Sequence, residues 1–282
     1  MPPVLLPEMP KLGRLYRKAA LRRASHSTLS DRALALAAVR VDVAQLAAYN
    51  RVCGFRLSDT LPATYPHVLA FPLAMSLMTD ASFPFPLLGL VHLSNHISMR
   101  QPLPVSGVYD LSVQAVDLRP HERGSLVDVV ATASVSSTVV WTGHSTYLHR
   151  SGGRGVSHKS EISDKPVASA VWRVPRRTGT DYARASGDRN PIHTNRLLAR
   201  ALGFRSTIAH GMWTKARCLA ALDGRLPATF DVDVTFKTPI LLPATVAFSA
   251  TQDADADRWA LAVHAEKTGK PHLIGAITPV AA

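Results

Sequence analysis

The chain has 282 residues, 46% of them hydrophobic, and carries 32 lysines and arginines against 20 acids, a formal charge of +12. That length allows a sizeable core in two ordinary domains or one large one, and no apolar run reaches the ~20 residues of a membrane-spanning helix. The charge invites an acidic partner, but an aromatic content of 6% and the lack of a basic motif interleaved with aromatics speak against nucleic acid. An anionic membrane, a phosphate-bearing coenzyme and an acidic protein stay open.

Residues 1–35 begin with prolines and continue through Lys11, Arg14, Arg17, Lys18, Arg22 and Arg23, with no acid between Lys11 and Ser30. Leu12, Leu15, Tyr16, Ala19 and Ala20 fall at helical spacing, so an amphipathic basic helix is expected; the plainer reading is a loosely packed solvated arm, the sharper one a docking element. There is no apolar signal core. The two cysteines, Cys53 and Cys218, form no C-x-x-C pair and read as small buried hydrophobes in a reducing cytosol, so the location expected is cytoplasmic.

Asp42 to Gly54 reads as a short helix, and Tyr65 to Asp80 as a buried one, followed by a Pro-rich apolar loop from Ser82 to Gly89. His92 and His96 fall on one face of an expected strand, which raises the question of metal binding; no third ligand stands at a sensible spacing, and no metal is expected. Alternating runs follow at Tyr109 to Ala115, Val127 to Val135 and Thr138 to Leu148. Residues 151–168 are rich in Gly, Ser and charge without an apolar period, and read as a linker.

Tyr182 to Thr214 concentrates the chemistry. Ser186-Gly187-Asp188-Arg189-Asn190-Pro191 is a cluster of turn formers, with His193 five positions after Asp188. Asn195 to Gly203 reads as a short helix capped by Asn195 or Thr194, with Leu197, Leu198, Ala201 and Leu202 at helical spacing. His193 is expected just ahead of it. A second helix is expected from Gly211 to Gly224, and its first N–H groups would form a small positive pocket. Period-two runs then recur at Phe230 to Phe236, Val246 to Ala250, Trp259 to Ala265 and Leu273 to Ile277, indicating an antiparallel sheet with a helix on one face.

The halves echo each other. Tyr49-x-Arg51-x-Cys53-Gly54 parallels Tyr182-x-Arg184-x-Ser186-Gly187, and Ile97-Ser-Met-Arg100-Gln-Pro102 parallels Val234-Thr-Phe-Lys237-Thr-Pro239. The pattern is that of a diverged duplication. At the position of Asp188 the first copy has Phe55, and no Asn-Pro-x-His follows; the frame is there without the chemistry.

An Asp-Asn-Pro turn or a His near a helix start is ordinary by itself. Together, Tyr182, Ser186-Gly187-Asp188, Asn190-Pro191, His193, Gly203-Phe204 and Ile208-Ala209-His210-Gly211-Met212 closely resemble the MaoC-like dehydratases and hydratase 2 enzymes, (R)-specific enoyl-thioester hydratases of the hot-dog fold. The resemblance implies an α+β double hot-dog, two antiparallel sheets each wrapped around a central helix. It divides the chain into a basic arm (1–35), a non-catalytic domain (36–150), the linker (151–168) and a catalytic domain (169–282). It implies that Asp188 and His193 are the acid/base pair holding one water, and that the Gly211 N–H polarises the thioester carbonyl. Asn190 and Ser186 would support or bind substrate, and His210 would be a structural neighbour. In tandem enzymes of this kind the non-catalytic half makes room for the acyl chain, for which Phe71, Met75, Met78, Phe83 and Phe85 are candidates beside their plainer role as core. Some members carry a serine late in the second helix, where this chain has Cys218-Leu219.

The residue types suit that chemistry on their own terms. Hydration of a trans-2-enoyl thioester adds water oxygen at C3 and a proton at C2 while charge grows on the thioester oxygen; a carboxylate, an imidazole and a helix-start N–H serve these needs. No cofactor is required. The expected activity is therefore hydration of enoyl thioesters or dehydration of (R)-3-hydroxyacyl thioesters, on coenzyme A or acyl carrier protein, in fatty acid metabolism. A hot-dog thioesterase and a non-catalytic thioester-binding or carrier-protein-binding module are the alternatives, and a homodimer is left open.

Overall fold

The computed structural model describes residues 2–22, 28–87, 89–150, 167–253 and 258–280. In chain order the first elements are β1 (Val4–Leu5), α1 (Leu12–Leu21), β2 (Ala33–Arg40), α2 (Val43–Cys53), α3 (Tyr65–Met78), β3 (Leu90–Met99), β4 (Val108–His121), β5 (Gly124–Val135) and β6 (Thr138–Arg150). There follow β7 (Ala170–Val174), α4 (Arg177–Ser186), α5 (Pro191–Thr194), α6 (Arg196–Ala201), α7 (Gly211–Ala221), β8 (Phe230–Phe236), β9 (Ala244–Asp253), β10 (Arg258–Ala265) and β11 (Pro271–Pro279). Among the described residues no helix is long and apolar enough to cross a membrane. The chain forms two compact units, one of Met1–Val43 and Ser58–Gly153, the other of Ala44–Leu57 and Arg154–Ala282. So α2, which the sequence division put with the first domain, packs with the second unit. The expected linker lies, except for its last two residues, outside the described residues.

In the first unit the strands run β1-β2-β4-β5-β6-β3, antiparallel but for the short β1–β2 pair. Val127, Val129, Ala131 and Ala133 of β5 are buried, as their alternation requires, and α3 packs on β2, β4 and β5. This helix is apolar on nearly every side, burying Tyr65, Leu69, Leu73 and Met75 among others, which is the pattern of a helix enclosed by its own sheet. Two polar tips in this core are paired with main chain: Trp141 Nε1 donates to the Ala63 carbonyl at 2.7 Å, and Thr79 Oγ1 to that of Met75 at 2.7 Å. Met75, Met78 and Phe83 are core residues, and Phe85 stacks on the His149 ring at 4.4 Å.

Two expectations change here, and two strands come unannounced. Residues 12–22 are docked rather than loose: Ala19 is buried, Leu12, Leu15 and Tyr16 are half-buried, and the Arg22 guanidinium donates to the carbonyls of Met78, Phe83 and Phe85. Arg14, Arg17 and Lys18 stay exposed. His92 and His96 do not share a face, because a bulge between His92 and Ser94 reverses the alternation; His92 lies opposite Tyr147 and His96 opposite His144, three residues apart on β6. And β2 and β7 carry no clean alternation, so the sequence did not announce them; β2 is itself bulged, with Ala38 at φ 56° and its N–H bonded to Asp110 Oδ1.

In the second unit the order is β8-β11-β10-β9-β7, antiparallel throughout. Helix α7 lies against β8: the Lys215 amine, fully buried, donates to the Val232 carbonyl at 3.0 Å, and Gly211 backs onto the Phe236 ring. The duplicated helices α2 and α4 meet in this unit. Each ends at a glycine in the left-handed region, Gly54 and Gly187, and their Tyr49 and Tyr182 rings lie 5.9 Å apart and buried. Gln45 of α2 donates to the Ala185 carbonyl, and Trp213 of α7 to that of Val52.

Candidate active site

The turn after α4 is built from side chains that bond to nearby main chain. Ser186 Oγ donates to the Tyr182 carbonyl at 2.8 Å and accepts from the Asp188 N–H at 3.2 Å; Asp188 Oδ1 accepts from the Asn190 N–H at 3.2 Å. Asn190 Oδ1 in turn caps Ile192 N–H, and Pro191 supplies the preset φ for the single turn of α5. His193 therefore sits just ahead of α6, as expected, but inside a short helix of its own. Asn195 does cap α6, its Oδ1 accepting from Leu197 and Leu198 N–H. The two catalytic candidates differ in exposure: the Asp188 side chain is 30% exposed, whereas His193 is buried.

The second stretch arrives from the other side. Ile208 bridges to Leu241, and Ala209 N–H donates to the Ile240 carbonyl, which fixes the approach to α7. It brings the His210 ring onto that of His193, centroids 3.6 Å apart and planes at 22°, and within 4.7 Å of the tilted Tyr182 ring. A carboxylate oxygen of Asp188 and ring nitrogens of His193 and His210 all lie within 4.8 Å of one another. The sequence residues Ser186, Asp188, Asn190, His193, His210 and Gly211 are thus gathered at one place, the last as the first residue of α7, where its N–H has no acceptor within the helix.

Hydrogen bonding assigns the tautomers. His193 Nδ1 lies 2.8 Å from the Ile208 carbonyl, and a carbonyl can only accept, so Nδ1 carries the proton and Nε2 keeps a free lone pair. By the same reasoning His210 Nε2 donates to the Asp188 carbonyl at 2.9 Å, and its buried Nδ1 has no partner among the described residues. Burial lowers the proton affinity of both rings. For His193 the Asp188 charge and the Ile208 carbonyl oppose burial without overcoming it; for His210 burial, aided by His193, pulls the pKa down to about 3. Both imidazoles are neutral near pH 7.

An aspartate and two histidines are a donor set that a metal ion accepts. The stacking argues against it: an ion ~2 Å from both rings would lie well out of the plane of each nitrogen lone pair. One water between Asp188 and His193 needs no such distortion.

Two contributors carried no sequence signal. The Ile208 carbonyl orients His193 through its main chain, and Gly179 of α4 leaves room for the His193 carbonyl, which a Cβ there would approach to 2.3 Å. Cys218, where a supporting serine was considered, is fully buried, and burial pushes its thiol pKa up.

Residues 158–271 match the MaoC like domain. A Mycobacterium tuberculosis protein, 3-hydroxyacyl-thioester dehydratase X, is 36% identical over 253 residues, covering 88% of this chain and 90% of its own. The chain belongs to the MaoC-like dehydratase family. The crystal structure of HtdX from Mycobacterium tuberculosis superposes on this MaoC-like chain with a TM-score of 0.80 at 36% identity, over 88% of this chain and all of the other. A further Mycobacterium tuberculosis protein, described as a double hot-dog, aligns with a TM-score of 0.56 at 13% identity over 92% of this chain and 96% of its own, a likeness of fold alone. The MaoC-like chain is an α+β double hot-dog, as the resemblance implied.

Proposed function

We propose that the protein adds water to trans-2-enoyl thioesters to give (R)-3-hydroxyacyl thioesters, and catalyses the reverse loss of water, without a metal or organic cofactor. The observation that carries this is the Asp188 carboxylate and a neutral His193 ring within one water's reach of each other. The name of the Mycobacterium tuberculosis relative, a 3-hydroxyacyl-thioester dehydratase, supports the substrate class. The stereochemistry follows the family resemblance.

His193 Nε2 takes a proton from the water as its oxygen forms the bond to C3, and the Asp188 carboxylate accepts a hydrogen bond from the O–H that the water keeps, orienting it and stabilising the imidazolium. The C2=C3 electrons move toward the thioester, and the Gly211 N–H at the start of α7 stabilises the oxyanion. The imidazolium then delivers its proton to C2, so one water is added and His193 returns neutral. Dehydration runs the same steps backward.

Loss of the enoyl absorbance of crotonyl-CoA tests the reading. Asp188→Asn keeps an oxygen for the Asn190 N–H but loses the charge, and is expected to lower kcat by about 100-fold or more with an unchanged melting temperature. Wild-type turnover in Asp188→Asn and in His193→Ala, or release of free thiol in place of hydration, would overturn it.

A further inference from the structure

The apolar side of α6 is turned to solvent. Leu197, Leu198 and Leu202, which repeat at helical spacing, are 74%, 48% and 44% exposed, and Ala199 alone of this helix is buried. Arg196 and Arg200, one turn apart, form an exposed stripe next to Leu197, with Leu198 and Leu202 further round the exposed side, and Arg205 follows just beyond Gly203. None of the three arginines has an ion pair among the described residues. Between Asp188 and Asp223 the chain contains no acid at all. Asn195 pins the start of this segment, and Ala199 N–H and Phe204 N–H close it back on itself, so the patch is formed before any partner arrives. Exposed leucines are common singly; three together, bordered on one side by unpaired arginines, mark a binding surface.

We infer that this face of α6 docks an acidic carrier protein that presents the acyl group as a thioester on a flexible arm. The inference rests on the hydratase reading and names the carrier. Coenzyme A phosphates would engage the arginines and leave the leucines bare, whereas a helix carrying acids around an apolar strip covers both. A second copy of this chain would bring like charge to like. Six helical residues offer too little apolar area to enter a membrane. Position agrees: Arg196 is three residues after His193, so a partner seated here holds its thioester arm beside the catalytic turn.

The test compares the crotonyl group on a purified acidic acyl carrier protein and on coenzyme A. Two variants are needed, Arg196→Glu with Arg200→Glu, and Leu197→Gln with Leu198→Gln, each checked by thermal melting. Docking is expected to show as a fall of about tenfold or more in kcat/KM for the carrier-protein substrate, with the coenzyme A substrate changed less than about twofold. In the wild type, KM for the carrier-protein substrate should rise with salt, a readout that needs no variant. Equal losses on both substrates, no loss on either, or wild-type turnover of the coenzyme A form alone would overturn the inference, as would binding to anionic vesicles that the arginine variant abolishes while carrier-protein turnover stays intact. If the wild type hydrates neither form, it is the hydratase reading that fails, and this one with it.

Discussion

The most consequential atom in the second unit is a main-chain oxygen. By accepting from Nδ1, the Ile208 carbonyl leaves His193 with a basic Nε2, and burial keeps the ring neutral. Because burial lowers its pKa, the acid limb of kcat/KM is expected below 6.5, the ordinary histidine value, in a pH profile with crotonyl-CoA; a limb above it would contradict this tautomer and its role. Stability has a related signature. The unfolded chain binds protons at about pH 6.5 that folded His210 refuses until about pH 3, so the folded state loses stability as pH falls through that window. Melting temperature should drop from pH 7 to pH 5, and His210→Gln should flatten part of the slope. The sequence showed which residue types gather here, from Asp188 to Gly211. It could not show the stacking of His210 on His193, which depends on Ile208–Leu241 and Ala209–Ile240 pairing across more than thirty residues.

Helices α4, α5 and α6 are short, and each is held by something other than its own length. Helix α4 relies on close approach: alanine at Gly179 would drive a Cβ into the His193 carbonyl, so Gly179→Ala should displace α5 and lower kcat by about 100-fold, with a stability loss of about 1–3 kcal/mol read from denaturant unfolding. Helix α6 relies on its cap. Asn195→Ala removes both bonds to the Leu197 and Leu198 N–H groups and is expected to cost about 0.5–2 kcal/mol locally, seen as faster amide exchange in residues 196–202. Capping and the Gly203 stop were legible from side-chain chemistry. The direction in which the leucines face was not, since helical spacing says that they share a side without saying what covers it. The Pro191 turn was read as a bend because four residues are too few to display a period.

At the scale of the molecule, the candidate acid–base groups all belong to the second unit, while the first carries a buried carboxylate of its own, Asp128, with part-exposed partners. Burial works against the Asp128 charge, but hydrogen bonds from His144, Arg119 and Thr146 outweigh it and hold the carboxyl below the usual carboxylate range. Its contribution is present above the unfolded value near 3.8 and lost as pH falls below it. Asp128→Ala is expected to cost about 1–3 kcal/mol in denaturant unfolding while leaving kcat on crotonyl-CoA unchanged in the folded protein. A matching fall in kcat would show that the two are coupled.

By itself the amino-acid sequence determined the duplicated frame, the candidate catalytic residues and their absence from the first copy, because turn formers, caps and period-two runs act over a few residues. Only the tertiary structure decided that α2 packs with the second unit, that a one-residue bulge parts His92 from His96, and that the leucines of α6 meet solvent. Those outcomes depend on which surface is left for each element once its distant neighbours have packed, and no local pattern of residues carries that information.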